Sequence, residues 1–74
     1  MKIGERMKHR REALGIAQTA LAERIGTSKQ NLYKYENGII ANIPADKIEA
    51  IAQALHTTPA YLMGWSDDPA LPAA

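Results

Sequence analysis

The sequence predicts an all-α domain of five short helices, and three observations carry that prediction. Apolar residues recur at three- and four-residue steps along most of the chain, and no stretch alternates as a strand would. Gly15, Gly26, Gly38 and Gly64 each stand just past one of these apolar stripes, where helices stop. At 74 residues, with 46% apolar and 23% charged side chains, the chain suits one small globular domain.

Each element follows from its own stripe. Ile3, Met7, Arg11 and Leu14 share one face of a first helix over about 3–14, and Gly15 ends it. Leu21, Ala22 and Ile25 form the apolar side of a second helix that stops at Gly26. Ser28 is a good N-cap for a third helix over about 29–36, with Leu32 and Tyr35 inward and Gly38 beyond its end. Ile48, Ile51, Ala52 and Leu55 fall at i, i+3, i+4 and i+7, which gives a fourth helix from about Pro44 to Leu55. Pro44 suits its first turn, where a missing N–H costs nothing, and His56 stands where a cation favours the helix C-terminal dipole. Thr58 and Pro59 open a last short helix carrying Tyr61 and Leu62, closed by Gly64. The predicted domain is therefore 1–64, and the Pro- and Asp-containing stretch 65–74 reads as a linker or flexible tail.

Composition removes whole classes of chemistry. With no Cys there is no disulfide framework, thiolate zinc site or cysteine nucleophile. His9 and His56 alone cannot make a zinc site, Ser66, Asp67 and Asp68 have no triad partners, and the scattered glycines form no phosphate loop. The expectation is a non-enzyme with no metal and no cofactor. No apolar run approaches the roughly 20 residues that span a bilayer, and the N-terminus is not a secretory signal. A cytoplasmic location follows as the expectation. The charge is uneven: residues 1–38 carry a net +4 and residues 39–74 a net −3. That split fits a face built for a polyanion, and equally fits ordinary solvated helix faces.

The informative stretch is Gln18 to Asn37, two short helices separated by Gly26, Thr27 and Ser28. A steep crossing needs a small residue at the close approach (Ala22) and a residue tolerant of positive φ at the break (Gly26). It also needs apolar residues inside the angle, which Leu21, Ile25, Leu32 and Tyr35 supply. The combination describes a helix-turn-helix, or else a structural hairpin in a helical bundle. The outer side of the third helix separates the two. Lys29, Gln30, Asn31, Tyr33 and Lys34 lie off the core stripe, and no acid occurs between Gly26 and Tyr35. Gln and Asn can bond adenine bidentately and Lys can donate to guanine. Gln18, opening the second helix, offers its amide and free backbone N–H groups to a phosphate.

Taken together these residues resemble the DNA-binding domain of the phage-repressor (Cro/CI-type, XRE-like) helix-turn-helix family. The likeness rests on Ile3-Gly4-Glu5-Arg6, Arg10 to Gly15, Gln18, Leu21-Ala22, Gly26 to Gln30 and Tyr35-Glu36-Asn37-Gly38, then on Ile48 to Leu55 and Pro59 to Gly64. It implies the five-helix lambda-repressor-like fold and a sequence-specific transcriptional regulator, most simply a phage- or prophage-type repressor in a bacterial or phage-infected cell. Its expected partner is double-stranded operator DNA, bound as a homodimer on a near-palindromic site. Residue by residue, the likeness implies phosphate contacts at Gln18, Asn37 and Arg10, and base-edge contacts at Lys29, Gln30 and Lys34. It makes Ser28 a helix cap near a base or phosphate, sets Tyr33 beside a phosphate or thymine methyl, and pairs Arg11 with Glu36 across the first and third helices. Periodicity agrees on the pair, because Arg11 lies on the Met7 and Leu14 stripe and needs a carboxylate if buried.

Two departures stand out. Ala17 occupies the position where the family carries a capping Ser, Thr or Asn. Ile39-Ile40-Ala41-Asn42-Ile43 replaces the basic loop of many relatives. These isoleucines either close the core or form a dimer or partner surface, and Tyr61, Leu62 and Trp65 are likewise either plain core or a self-association patch. In the second case the fold would serve as a protein-interaction module for an antirepressor, toxin or similar partner. The tail also resembles the linker that leads, in longer relatives, to a C-terminal domain.

Overall fold

The computed structural model describes residues 2–69. They form five helices: α1 (Ile3–Ala13), α2 (Gln18–Ile25), α3 (Lys29–Glu36), α4 (Ala45–Ala54) and α5 (Pro59–Leu62). No strand occurs among the described residues. α1 packs on α3 and α5, α2 on α3 and α4, and α4 on α5. Met7, Leu21, Leu32, Ile51, Leu55 and Leu62 are fully buried where these helices converge, so every helix contributes to one core.

The helix ends follow from local chemistry. α1 stops one residue short of the predicted Leu14, which caps it, and Gly15 then takes a left-handed φ of 69° so that the Ile16 amide can donate to the Arg11 carbonyl at 3.0 Å. α4 starts after Pro44, which is its N-cap and not its first helical residue. At the far end of α4 the chain turns left-handed at His56, φ 53°, and the Thr57 amide donates to the Ala52 carbonyl at 2.9 Å. Gly4 sits where α1 crosses the end of α3, and a methyl there would lie 2.7 Å from the Glu36 carbonyl oxygen and nearer still to that of Tyr35. Only hydrogen fits.

The isoleucine loop divides. Ile43 is buried in the core, Ile40 packs partly against it, and Ile39 stands 62% exposed. Past Gly64 the chain stays engaged with α1. Arg6 donates from Nη1 to the carbonyls of Tyr61 (3.1 Å) and Ser66 (2.9 Å), and from Nη2 to Asp67 Oδ1 (2.9 Å). Its guanidinium also lies over the Tyr61 ring, 4.8 Å from the centroid. The predicted tail from 65 onward thus begins as a held segment, and residues 70–74 lie outside the described residues. Among the described residues, no helix is long and apolar enough to cross a membrane.

Candidate nucleic-acid interface

The turn between α2 and α3 is fixed from both sides. Gly26 adopts φ 72°, the Thr27 amide returns to the Ala22 carbonyl at 2.9 Å, and Ser28 Oγ accepts from the Asn31 amide at 3.0 Å. With Leu32, Tyr35 and Glu36 turned inward, about 100° per residue sends Gln30 and Lys34 to the opposite side of α3. Tyr33 and Asn37 flank that side on one edge, and Tyr33 is 52% exposed. Lys29 lies on the same edge nearer the core, and Asn31 lies on the other edge, where its amide donates to Thr27 Oγ1 at 3.3 Å. Asn37 caps α3 and donates its own amide to the Tyr33 carbonyl at 2.8 Å. The outer side of α3, with its Asn37 cap, therefore carries two lysines, three carboxamides and a phenol, with no exposed acid.

Glu36, the one acid on α3, is closed off beneath this face. Its carboxylate accepts from Arg11 Nε at 2.7 Å, from Arg11 Nη2 at 3.1 Å and from Gln18 Nε2 at 2.9 Å. Arg11 Nη1 reaches the Ile16 carbonyl at 2.8 Å. The hydrogen bond to Glu36 raises the Arg11 pKa above its ordinary value; burial opposes this and loses. The pair ties α1 to α3, and Gln18 joins α2 to both. Gln18 is thus held by one Nε2 hydrogen at the mouth of the angle, which leaves the second Nε2 hydrogen as a donor.

Other sequence-predicted residues fall elsewhere. Arg10 donates from Nε to the Leu55 carbonyl at 3.0 Å and from Nη2 to the His56 carbonyl at 3.1 Å, so its guanidinium serves the C-terminus of α4, where orphan carbonyls need donors. Of the two alternatives for Tyr61, Leu62 and Trp65, core holds for Tyr61, 6% exposed under Arg6, and for Leu62, which takes Tyr61 out of the surface patch, whereas Trp65 is not core. Ile40 is half-buried, and the exposed members of that patch are Ile39 and Trp65, the latter 78% exposed.

Residues 7–62 match the family described as helix-turn-helix. The chain belongs to the helix-turn-helix family. This domain is 37% identical over 59 residues to an uncharacterised HTH-type transcriptional regulator of Sinorhizobium fredii, covering 80% of this chain and 41% of the relative. It is 45% identical over 53 residues to an uncharacterised transcriptional regulator of Rhodospirillum rubrum, covering 72% of this chain and 48% of the relative. The chain spans less than half the length of these relatives. Among solved structures it superposes on the P22 c2 repressor in complex with a synthetic operator with TM-score 0.81, 29% identity and coverage of 89% of this chain and 98% of that one. On the biofilm regulator SinR in complex with DNA the TM-score is 0.76, with 28% identity and coverage of 81% and 95%. The repressor neighbour agrees with the Cro/CI-type resemblance carried by the sequence. The chain is also similar to about a third of hydroxypropylphosphonic acid epoxidase from S. wedmorenis, with TM-score 0.76, 28% identity and coverage of 82% and 32%.

Two residues of this helix-turn-helix domain escaped the sequence reading. Arg6 had a signal, since it falls three residues after Ile3 and so borders the inward side of α1. Lys47 had none: its ammonium donates to the carbonyls of Ile25 at 2.9 Å and Gly26 at 3.4 Å, across a gap of more than 20 residues.

Proposed function

We propose that this domain reads double-stranded DNA, with α3 in the major groove, as part of a sequence-specific transcriptional regulator of the phage- or prophage-repressor kind. One observation carries the reading: the outer side of α3 offers Lys29, Gln30, Asn31, Tyr33 and Lys34 while the only acid on the helix is buried and paired. Gln30 and Lys34, one turn apart and opposite the core, are the base readers, with Tyr33, Lys29 and Asn31 at the edges. Gln18, Ser28 and Asn37 meet phosphates on the two sides of the groove, which orients the helix without specifying sequence. The P22 c2 repressor and SinR are described in complex with DNA, and both cover more than nine-tenths of their own chains in the superposition, which supports the same mode here. Arg10 is left out of the interface because α4 engages it.

Selection from a randomised duplex pool, followed by titration of the enriched duplex at several salt concentrations, tests this. A two-fold-symmetric winner with steep salt dependence is the expected result, and it carries the homodimer and near-palindromic operator with it. A pool that stays unselected sinks the reading.

A protein-interaction role is the second reading, favoured by the exposure of Ile39 and Trp65. SinR also occurs in complex with the protein SinI, which gives that reading a precedent among the neighbours. An antirepressor-like partner would then bind beside the DNA face. Light scattering on Ile39→Asp and Trp65→Ala variants tests it, and unchanged mass and partner capture remove it.

A further inference from the structure

We propose that Lys47 is a positioning residue for DNA reading: from α4, outside the helix-turn-helix itself, it fixes the direction in which α3 leaves α2. Three observations meet at one point. Gly26 is left-handed, φ 72°, so the chain reverses there with no side chain to pack. The Ile25 and Gly26 carbonyls are at the end of α2, beyond reach of its own amides. The Lys47 ammonium donates to both, at 2.9 and 3.4 Å, and lies 3.6 Å from where a Cβ on Gly26 would be.

The arrangement sets the carbonyl plane of Gly26, two residues ahead of the Ser28 cap. The set of that peptide passes to the start of α3, whose first turn Ser28 and Asn31 lock to the turn residues, while the Glu36–Arg11 pair holds the other end. α3 itself packs on α1 and α2, whereas α4 packs mainly on α2 and α5. Lys47 thus links α4 to the turn directly. A cation at this helix C-terminus also favours the α2 dipole. Its charge is engaged with carbonyls inside the domain, so it does not act as a phosphate clamp. Its effect on DNA rests on the DNA-reading function proposed above, but its effect on the turn does not.

The test compares wild type with Lys47→Met and Lys47→Arg, by backbone amide NMR and by binding to the duplex enriched by wild type and to an unrelated duplex of equal length. With Met, the amide resonances of Gly26 to Asn31 shift, and affinity for the enriched duplex falls about tenfold, as expected for one lost base contact. Affinity for the unrelated duplex and the salt slope stay as they were, and Arg restores both the shifts and the affinity. Shifts confined to α4, or equal loss on both duplexes, overturn the proposal. So does a slope smaller by about 0.9, which marks a direct phosphate contact. Should Met leave the domain unfolded, Lys47→Gln, with one neutral donor, replaces it in every arm. If wild type enriches no duplex the DNA reading fails, and the amide shifts alone decide the role of Lys47.

Discussion

At the scale of single residues, the arrangement around Glu36 makes the sharpest demand. Its carboxylate is buried and receives three hydrogen bonds, two from Arg11 and one from Gln18. Glu36→Gln would leave the Arg11 guanidinium buried without its counter-charge, and we expect a loss of about 3–5 kcal/mol in urea unfolding. The raised Arg11 pKa sets the sign with pH. The cation is fully present below its unfolded pKa and is lost only as pH rises through the higher folded value, so Arg11 contributes evenly across the neutral range and weakens only far into alkali. Gln30→Ala probes the other side of α3: a loss of about 1–3 kcal/mol at one base step, with relaxed preference there, is expected from binding to single-base variants of the selected duplex. The Arg11–Glu36 pair was legible in the sequence because a charged residue on an apolar stripe needs a partner. The partners of Arg6 and Arg10 were not, since backbone carbonyls bind a guanidinium wherever the fold leaves them bare, and no residue type announces such a carbonyl.

The elements differ in how well their ends are made, and stability follows. Ser28 and Thr58 cap α3 and α5 through their hydroxyls, whereas α2 begins at Ala17 with no side-chain cap. Ala17→Ser should add about 1 kcal/mol, read as a higher midpoint in thermal unfolding. Gly4 works the other way. A methyl against the Tyr35 and Glu36 carbonyls forces α1 away from α3, and we expect Gly4→Ala to cost about 1–3 kcal/mol by the same measurement. The five helices were legible because each has an apolar stripe and a glycine or cap at its edge. The loop from Ile39 to Ile43 resisted, because three isoleucines without periodicity do not say which of them turns inward. The fold settles it by burying Ile43 and leaving Ile39 out.

For the whole molecule, charge is the quantity that matters. The chain holds nine Lys and Arg against eight Asp and Glu, and of the nine Arg6, Arg10, Arg11 and Lys47 are bonded within the domain. Lys2, Lys8, Arg24, Lys29 and Lys34 are the exposed ones. At about 0.9 per phosphate neutralised, these five cap the salt slope at about −4.5 per chain, and a titration of the selected duplex should fall short of that value. The candidate site was only partly visible beforehand for the same reason. The α3 face depends on residue type and helical spacing, which a sequence displays. Which cations remain free depends on contacts between distant helices.

His56 has a consequence of its own. A side chain held at φ 53° carries a conformational penalty of order 1 kcal/mol that glycine would escape. Together with the uncapped start of α2, it leaves the domain short of its stability optimum at two sites outside α3. If α3 reads DNA as proposed, substitutions on its outer face are chosen for recognition and tend to weaken folding. A lineage that first acquired His56→Gly or a capped α2 would gain a margin in which more such substitutions could be tolerated, and new recognition preferences could accumulate without unfolding the domain.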